Sequence, residues 1–404
     1  MPMPGRHRRF SLAGPVLALV LVACRPACAF DVVLNAQGEF LDAYLVNGTP
    51  YPPKVVFIDP DPANPDSLGV PPRVGRHVNG KLCFFPRGVG HNGQFVIADD
   101  TYREACVDRD PPQARCSVAA RGNRFYVGRD SDGWGLFGSN GRWRKRVVQV
   151  PGTFDPPVQG AIDPQGCFFD ARGSLFLTDV GSGDPLARDG SLLVFFPGPR
   201  HRYDTFCFLD KGLAQPGMPA ADAAGNLYVP EPGAGRVSKF GPPFPASEAD
   251  CANPDHLVAV APTKSLYPTP GSGTPAGIVA VPGTDHFYVS SVLAPAAIDE
   301  YDANGVLVRN IVPPGVALNP LGMDVGSDGT LYFAELNLNP DTSTGCGRVS
   351  MVRFVAGMPQ PPEVLGKNLS FPDGVTVVDS SQLRVSWTRL PPAPEPDPRT
   401  CGGE

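Results

Sequence analysis

Residues 216–240 read PGMPAADAAGNLYVPEPGAGRVSKF. A Pro-Gly opening leads into a short apolar run. A tight turn follows at Ala224-Gly225-Asn226, then a second run, Leu227-Tyr228-Val229, closed by an acid, Glu231. A Gly-rich turn leads to a third run from Val237 to Phe240. Glycine before Leu227 suits a hairpin position that needs a positive φ. Three strands in twenty-five residues, with no helical period, is the reading from which the rest proceeds.

The same sentence recurs. Pro164 to Asp179 reads PQGCFFDARGSLFLTD, Pro275 to Ser291 PAGIVAVPGTDHFYVSS, and Pro320 to Glu335 PLGMDVGSDGTLYFAE. A weaker copy, PQARCSVAARGNRFYVGRD, starts at Pro112. The openings at 112, 164, 216, 275, 320 and 372 stand 52, 52, 59, 45 and 52 residues apart. A period near fifty with several strands per unit is the signature of a propeller, in which each sheet is covered by its neighbours. Runs such as Leu175-Phe176-Leu177 and Leu331-Tyr332-Phe333 are apolar on both faces, as a strand between two neighbouring sheets must be. The 46 glycines and 49 prolines break helices and frame short strands.

The chain ends carry a further expectation. Val32 to Val46, VVLNAQGEFLDAYLV, aligns with Ile298 to Val312, IDEYDANGVLVRNIV, the outer half of a unit. Val375–Val378 and Leu383–Trp387 read as an inner half with no outer half after it. The N-terminal strands are therefore expected to complete the C-terminal blade. An open ring would leave two apolar faces bare, each costing on the order of 10 kcal/mol at about 25 cal/mol per Å². Residues 54–110 read as one blade with an insertion at Asp59–Arg76. The expected fold is an all-β propeller of seven blades, with six as the alternative.

Residues 1–29 read as a signal peptide. Arg6, Arg8 and Arg9 precede an apolar stretch from Leu12 to Ala23, and Ala27-Cys28-Ala29 is a small-residue cleavage site. Leu21-Val22-Ala23-Cys24 also has the form of a lipobox, which would tether the protein through a lipid on Cys24. No later stretch is apolar for long enough to span a bilayer. The expectation is one propeller domain over 30–390, a Pro-rich tail over 391–404, and export to the periplasm or the extracellular space, with membrane tethering as the alternative. Eight cysteines remain after residue 29, an even number that suits disulfides in an exported chain. Cys106, Cys116, Cys167 and Cys207 are the candidates, with Cys106–Cys116 favoured because it would close a Pro-rich loop. A net charge of −6 argues against a nucleic-acid partner.

The sequence resembles the NHL-repeat and gluconolactonase-like β-propeller superfamily, which includes senescence-marker and strictosidine-synthase-like proteins. The resemblance rests on Gly225-Asn226-Leu227-Tyr228-Val229 with Glu231, and on Gly329-Thr330-Leu331-Tyr332-Phe333 with Glu335, and covers most of residues 80–380. That scaffold carries hydrolases, lyases and binding proteins alike. The acids closing the second strands, Asp99, Asp179, Glu231 and Glu335, are read as turn clamps or as lining of a channel rim. The resemblance to gluconolactonase-like enzymes implies one divalent cation, calcium or similar, on the axis. Matching ligands here would be Asp163, Asp222, Asp324 and Asn319. The chain lacks GxSxG, HExxH and a phosphate-cradling glycine loop. An exported binding scaffold for a protein, glycan or small molecule is the first expectation. A metal-dependent lactone hydrolase is the alternative, and a propeller lyase the third.

Overall fold

A computed structural model describes residues 164–181, 188–198, 205–252, 255–269, 273–293, 295–337, 347–369 and 372–379, with Leu186 and Tyr203. Outside these it describes the strands at 31–37, 44–46, 49–51, 55–58, 68–70, 82–85, 94–99, 124–129, 146–149 and 388–389. The signal-peptide and tail readings, and Asp163, Cys106 and Cys116, lie outside the described residues.

The chain is an all-β propeller. The described residues form six sheets of four or more strands. Going outward, sheet I has Pro372–Asp379, Asp31–Gln37, Val55–Ile58, Leu68–Val70 and Thr388–Arg389. Sheet II has Leu82–Phe85, Gln94–Asp99, Arg124–Arg129 and Arg146–Gln149. Sheet III has Pro164–Phe169, Leu175–Asp179, Gly190–Phe196 and Thr205–Leu213, extended by Leu257–Val258 and Cys251–Ala252. Sheet IV has Ala220–Ala221, Leu227–Glu231, Arg236–Gly241 and Thr263–Pro268. Sheet V has Pro275–Ala280, Phe287–Ser291, Ala297–Tyr301 and Leu307–Val312. Sheet VI has Pro320–Val325, Leu331–Glu335, Gly347–Val352 and Glu363–Leu369. The innermost strands touch in the order I, II, III, IV, V, VI and back to I.

The count of seven is not confirmed. The strand runs assigned to residues 54–110 and the weak copy at Pro112 are not two units. Gln94–Asp99 pairs with Arg124–Arg129, so both halves belong to sheet II. The supposed insertion at 59–76 contains Leu68–Val70, which pairs with Val55–Ile58 in sheet I. The N-terminal chain does join the C-terminal strand: Asp31 lies opposite Asp379 and Leu34 opposite Thr376. It takes the second position rather than the outer half, however, and Tyr44–Val46 forms a separate hairpin with Thr49–Tyr51. Position 2 is the one left open once Pro372–Asp379 is innermost, which the alignment with Ile298–Val312 could not reveal.

The core lies between sheets. Phe176, Leu192 and Val194 of sheet III pack on Leu227, Val229 and Phe240 of sheet IV. Tyr228 and Val237 meet Ile278, Phe287 and Tyr301 across the next junction. Val279, Tyr288 and Ile298 meet Met323, Leu331 and Phe333 across the one after. This is why the second strands are buried along their whole length and read as apolar on both faces. Near the axis the backbones nearly touch. A Cβ at Gly277 would sit 2.1 Å from the carbonyl oxygen of Leu321 on the next sheet, so residue 277 has no room for a side chain. Cys83–Cys167 joins the inner strands of sheets II and III, with Cα atoms 5.9 Å apart. Cys207–Cys251 joins the outer strand of sheet III to an excursion from sheet IV. Cys167 and Cys207 are thus both bridged, to Cys83 and Cys251.

Candidate functional site

Antiparallel pairing sorts the motif to two faces. Pro164 lies opposite Asp179, Pro275 opposite Ser291 and Pro320 opposite Glu335. The Pro openings and the closing acids therefore share one face, here the rim face. The glycine turns at 173, 225 and 329, with φ near +80°, share the other.

On the rim face two acids have the same set of partners. Glu231 is fully buried. It accepts from the Ala214 N–H at 3.0 Å, from Arg236 Nε and Nη2 at 3.1 and 2.9 Å, and from the Ser238 hydroxyl. Glu335 accepts from the Leu318 N–H at 2.8 Å, from Arg348 Nε at 2.5 Å and Nη2 at 3.3 Å, and from the Ser350 hydroxyl at 2.6 Å. Each carboxylate thus ties the loop before the inner strand to the third strand of its own sheet. Asp179 is buried and accepts from the Gly181 N–H at 2.9 Å. In sheet V the position is Ser291, whose hydroxyl accepts from the Thr274 N–H at 3.0 Å. Asp99 ends the second strand of sheet II opposite Arg124, the register that places Glu231 opposite Arg236.

Neighbouring sheets are joined by hydroxyls one residue further in. Thr178 Oγ1 accepts from the Gly166 N–H at 3.0 Å and donates to Gly217 O at 2.7 Å. Ser290 Oγ accepts from the Gly277 N–H at 2.9 Å and donates to Leu321 O at 2.6 Å.

The three candidate cation ligands among the described residues, Asn319, Asp222 and Asp324, do not gather. Asn319 stands at the rim end of the sheet VI inner strand in left-handed backbone, φ 58°, and its amide donates to Val292 O at 2.7 Å. Asp324 is five residues along the same strand, about 16 Å away at roughly 3.3 Å per residue. It accepts from the Val377 N–H at 2.9 Å. Asp222 lies in the sheet IV turn, on the far face. It accepts from Asn226 N–H at 2.8 Å, Asn226 Nδ2 at 2.7 Å and the Tyr228 hydroxyl at 3.0 Å. Burial and that carboxylate together push the Tyr228 phenol up. Sheet V stands between Asp222 and Asp324. Among the described residues no three of His, Cys, Asp and Glu are grouped so as to hold a metal ion.

Among the described residues the rim loops expose the charged Arg188 and Asp189 and also three large apolar side chains. Leu186, Leu293 and Val316 are 88%, 50% and 43% exposed. Leu186 follows Asp179, Leu293 follows Ser291, and Val316 precedes Asn319, so all three belong to loops that the acids and hydroxyls anchor. The reading from sequence missed Arg236, Ser238, Arg348 and Ser350. The signal was present as Gly-Arg-Val-Ser, repeated at 235–238 and 347–350.

No known family's profile matches the chain, and no curated protein matches it either. Solved structures do. The periplasmic gluconolactonase of Pseudomonas aeruginosa is 14% identical, covers 86% of this chain and 99% of its own, and has a TM-score of 0.48. The virginiamycin B lyase of Staphylococcus aureus is 12% identical, with 83% and 88% covered and a TM-score of 0.43. A protein of unknown function from Bacteroides caccae is 10% identical, with 86% and 99% covered and a TM-score of 0.48. Likeness at that level says nothing of a site or an activity.

Proposed function

We propose that the chain is a binding scaffold that presents the rim-face loops to a partner. One observation supports this above the others: Asp179, Ser291 and Glu335 hold loop backbone at Gly181, Leu293 and Leu318, and the same rim loops expose Leu186, Leu293 and Val316. Apolar side chains held on anchored backbone can bind without the ordering cost that mobile loops would add. The two disulfides suit a location outside the cytoplasm. Among the described residues no helix is long and apolar enough to cross a membrane.

The test combines an apolar probe with an activity assay. A solvatochromic dye titrated onto the purified protein is expected to bind, and Leu293→Ser with Val316→Ser to weaken that binding at unchanged stability. Lactone hydrolysis, measured with and without chelator on the same preparation, is expected to be absent. Chelator-sensitive turnover would replace this reading with the metal-dependent hydrolase.

A further inference from the structure

Sheet III has the longest outer strand of the described sheets. Thr205–Leu213 is nine residues, against four, six, six and seven in sheets II, IV, V and VI. It contains Phe206, Cys207, Phe208 and Leu209, all buried. A long apolar edge offers unpaired backbone groups to any other strand. Here it is covered. Residues 242–262 leave sheet IV after its third strand and cross to sheet III. There Leu257 pairs in parallel with Phe208, and Cys251–Ala252 adds one strand more. Only Pro245, Cys251 and Val258 of this strap are buried among its described residues. Its non-covalent hold is a short set of contacts centred on Phe206 and Phe208. The Phe208 N–H donates to His256 O at 2.7 Å, Lys211 Nζ to Asp255 O at 3.1 Å and Arg172 Nη2 to Pro245 O at 3.5 Å; the His256 ring stacks on Phe206 at 4.8 Å, Phe244 meets Phe176 edge-on at 5.3 Å, and Val258 joins the core between sheets III and IV. The covalent hold is Cys207–Cys251.

We infer that residues 242–262 are an edge guard for sheet III, latched by Cys207–Cys251, and that a dithiol reductant unlatches it and lets the bared strand pair with a second copy of the chain. Chemically, a thiolate of the dithiol attacks Sγ of Cys251, the more exposed of the two at 8% against 0%. The S–S bond breaks and Cys207 leaves as a thiolate that takes up a proton. The second thiol of the reagent then displaces Cys251, so two electrons pass to the protein and the reagent becomes a cyclic disulfide. With so few buried contacts left, the strap is expected to open locally while the ring stays folded.

The experiment compares the oxidised protein with Cys207→Ser/Cys251→Ser. Amide exchange over 205–213 and 251–258 is expected to rise at least about tenfold in the variant, the behaviour of a segment with little buried surface. Light scattering is expected to show a concentration-dependent dimer in the variant and none in the oxidised protein. Should the double variant fail to fold, a brief dithiol pulse on the natural protein followed by alkylation gives the same reading: Cys207 and Cys251 are expected to label before Cys83 and Cys167. Unchanged exchange, labelling of Cys83 and Cys167 first, or an open strap with no change in mass would each overturn the inference.

Discussion

Replacing Glu231 by alanine removes one carboxylate and strands four donors on three residues. The Ala214 N–H loses a bond of 3.0 Å, the Ser238 hydroxyl loses its acceptor, and Arg236 loses two bonds of 3.1 and 2.9 Å. Glu231 is 0% and Arg236 only 19% exposed at the side chain, so water cannot fully replace the lost partner. Removing one member of a buried ion pair costs about 3–5 kcal/mol. With an unfolding entropy of about 2.1 cal/mol/K per residue, a chain of this length shifts by about 1.2 °C per kcal/mol, so Tm should fall by roughly 4–6 °C. Glu231→Gln keeps the shape and part of the acceptor set and should cost about 1.5–3 kcal/mol, the worth of hydrogen bonds to a charged group. Arg236→Ala alone leaves the carboxylate buried with Ser238 and Ala214. In the double-mutant cycle the two losses should overlap by about 1 kcal/mol or more. Thermal and urea unfolding, followed by circular dichroism and fluorescence together, measure all four proteins. A drop of less than 1 °C for Glu231→Ala, or strictly additive losses, would refute the clamp.

Other expectations are equally direct. Ser290→Ala should cost about 1–3 kcal/mol in urea unfolding, since it leaves the Gly277 N–H and Leu321 O buried without their hydroxyl. Ser290→Thr should be close to neutral, because threonine makes the same pair of bonds at Thr178. Gly277→Ala drives a methyl to within 2.1 Å of a backbone oxygen and should cost about 1–3 kcal/mol or abolish expression. Cys83→Ser/Cys167→Ser opens a loop of 84 residues and should lower stability by about 4–5 kcal/mol by chain entropy, read as a shift of the urea midpoint. Burial, then the Glu300 carboxylate, push Tyr288 up to about 12 against the pull of Arg309. Its phenol is thus held protonated when folded. That contribution is complete below the unfolded value near 10 and is lost as pH rises from about 10 to 12. Absorbance titration should show Tyr288 ionising late, and Glu300→Gln should bring it earlier.

Much of the fold was legible because it is repetition. Gly225 and Gly329 mark turns, the apolar runs after them mark strands covered on both faces, and the period of about fifty implies a ring. The blade count was not legible, for a physical reason. A strand's place in a sheet depends on its partner, and the partners of Gln94–Asp99 and Asp31–Gln37 lie across long irregular segments. The disulfides were hidden for the same reason. Cys83–Cys167 joins two sheets and Cys207–Cys251 ties sheet III to a segment that leaves sheet IV, at separations of 84 and 44 residues, while sequence reading naturally favours short loops such as 106–116.

The acids show how symmetry and function part company. An acid at the end of the second strand, an arginine opening the third and a serine two residues on recur in sheets IV and VI because both face the same mechanical problem: the inner strand is reached by a loop whose N–H group needs an acceptor. Glu231 and Glu335 solve it in one way, Ser291 in another. A catalytic constellation has to be different from its own repeats. Among the described residues, departures from the repeat include the loops around Leu186, Leu293 and Val316 and the strap at 242–262. If the chain's specific task resides anywhere in the described residues, substitutions in those segments should change binding while leaving Tm alone, and substitutions in the clamps should do the reverse. Clamp variants that lost binding at unchanged stability would show that the repeat itself carries the function.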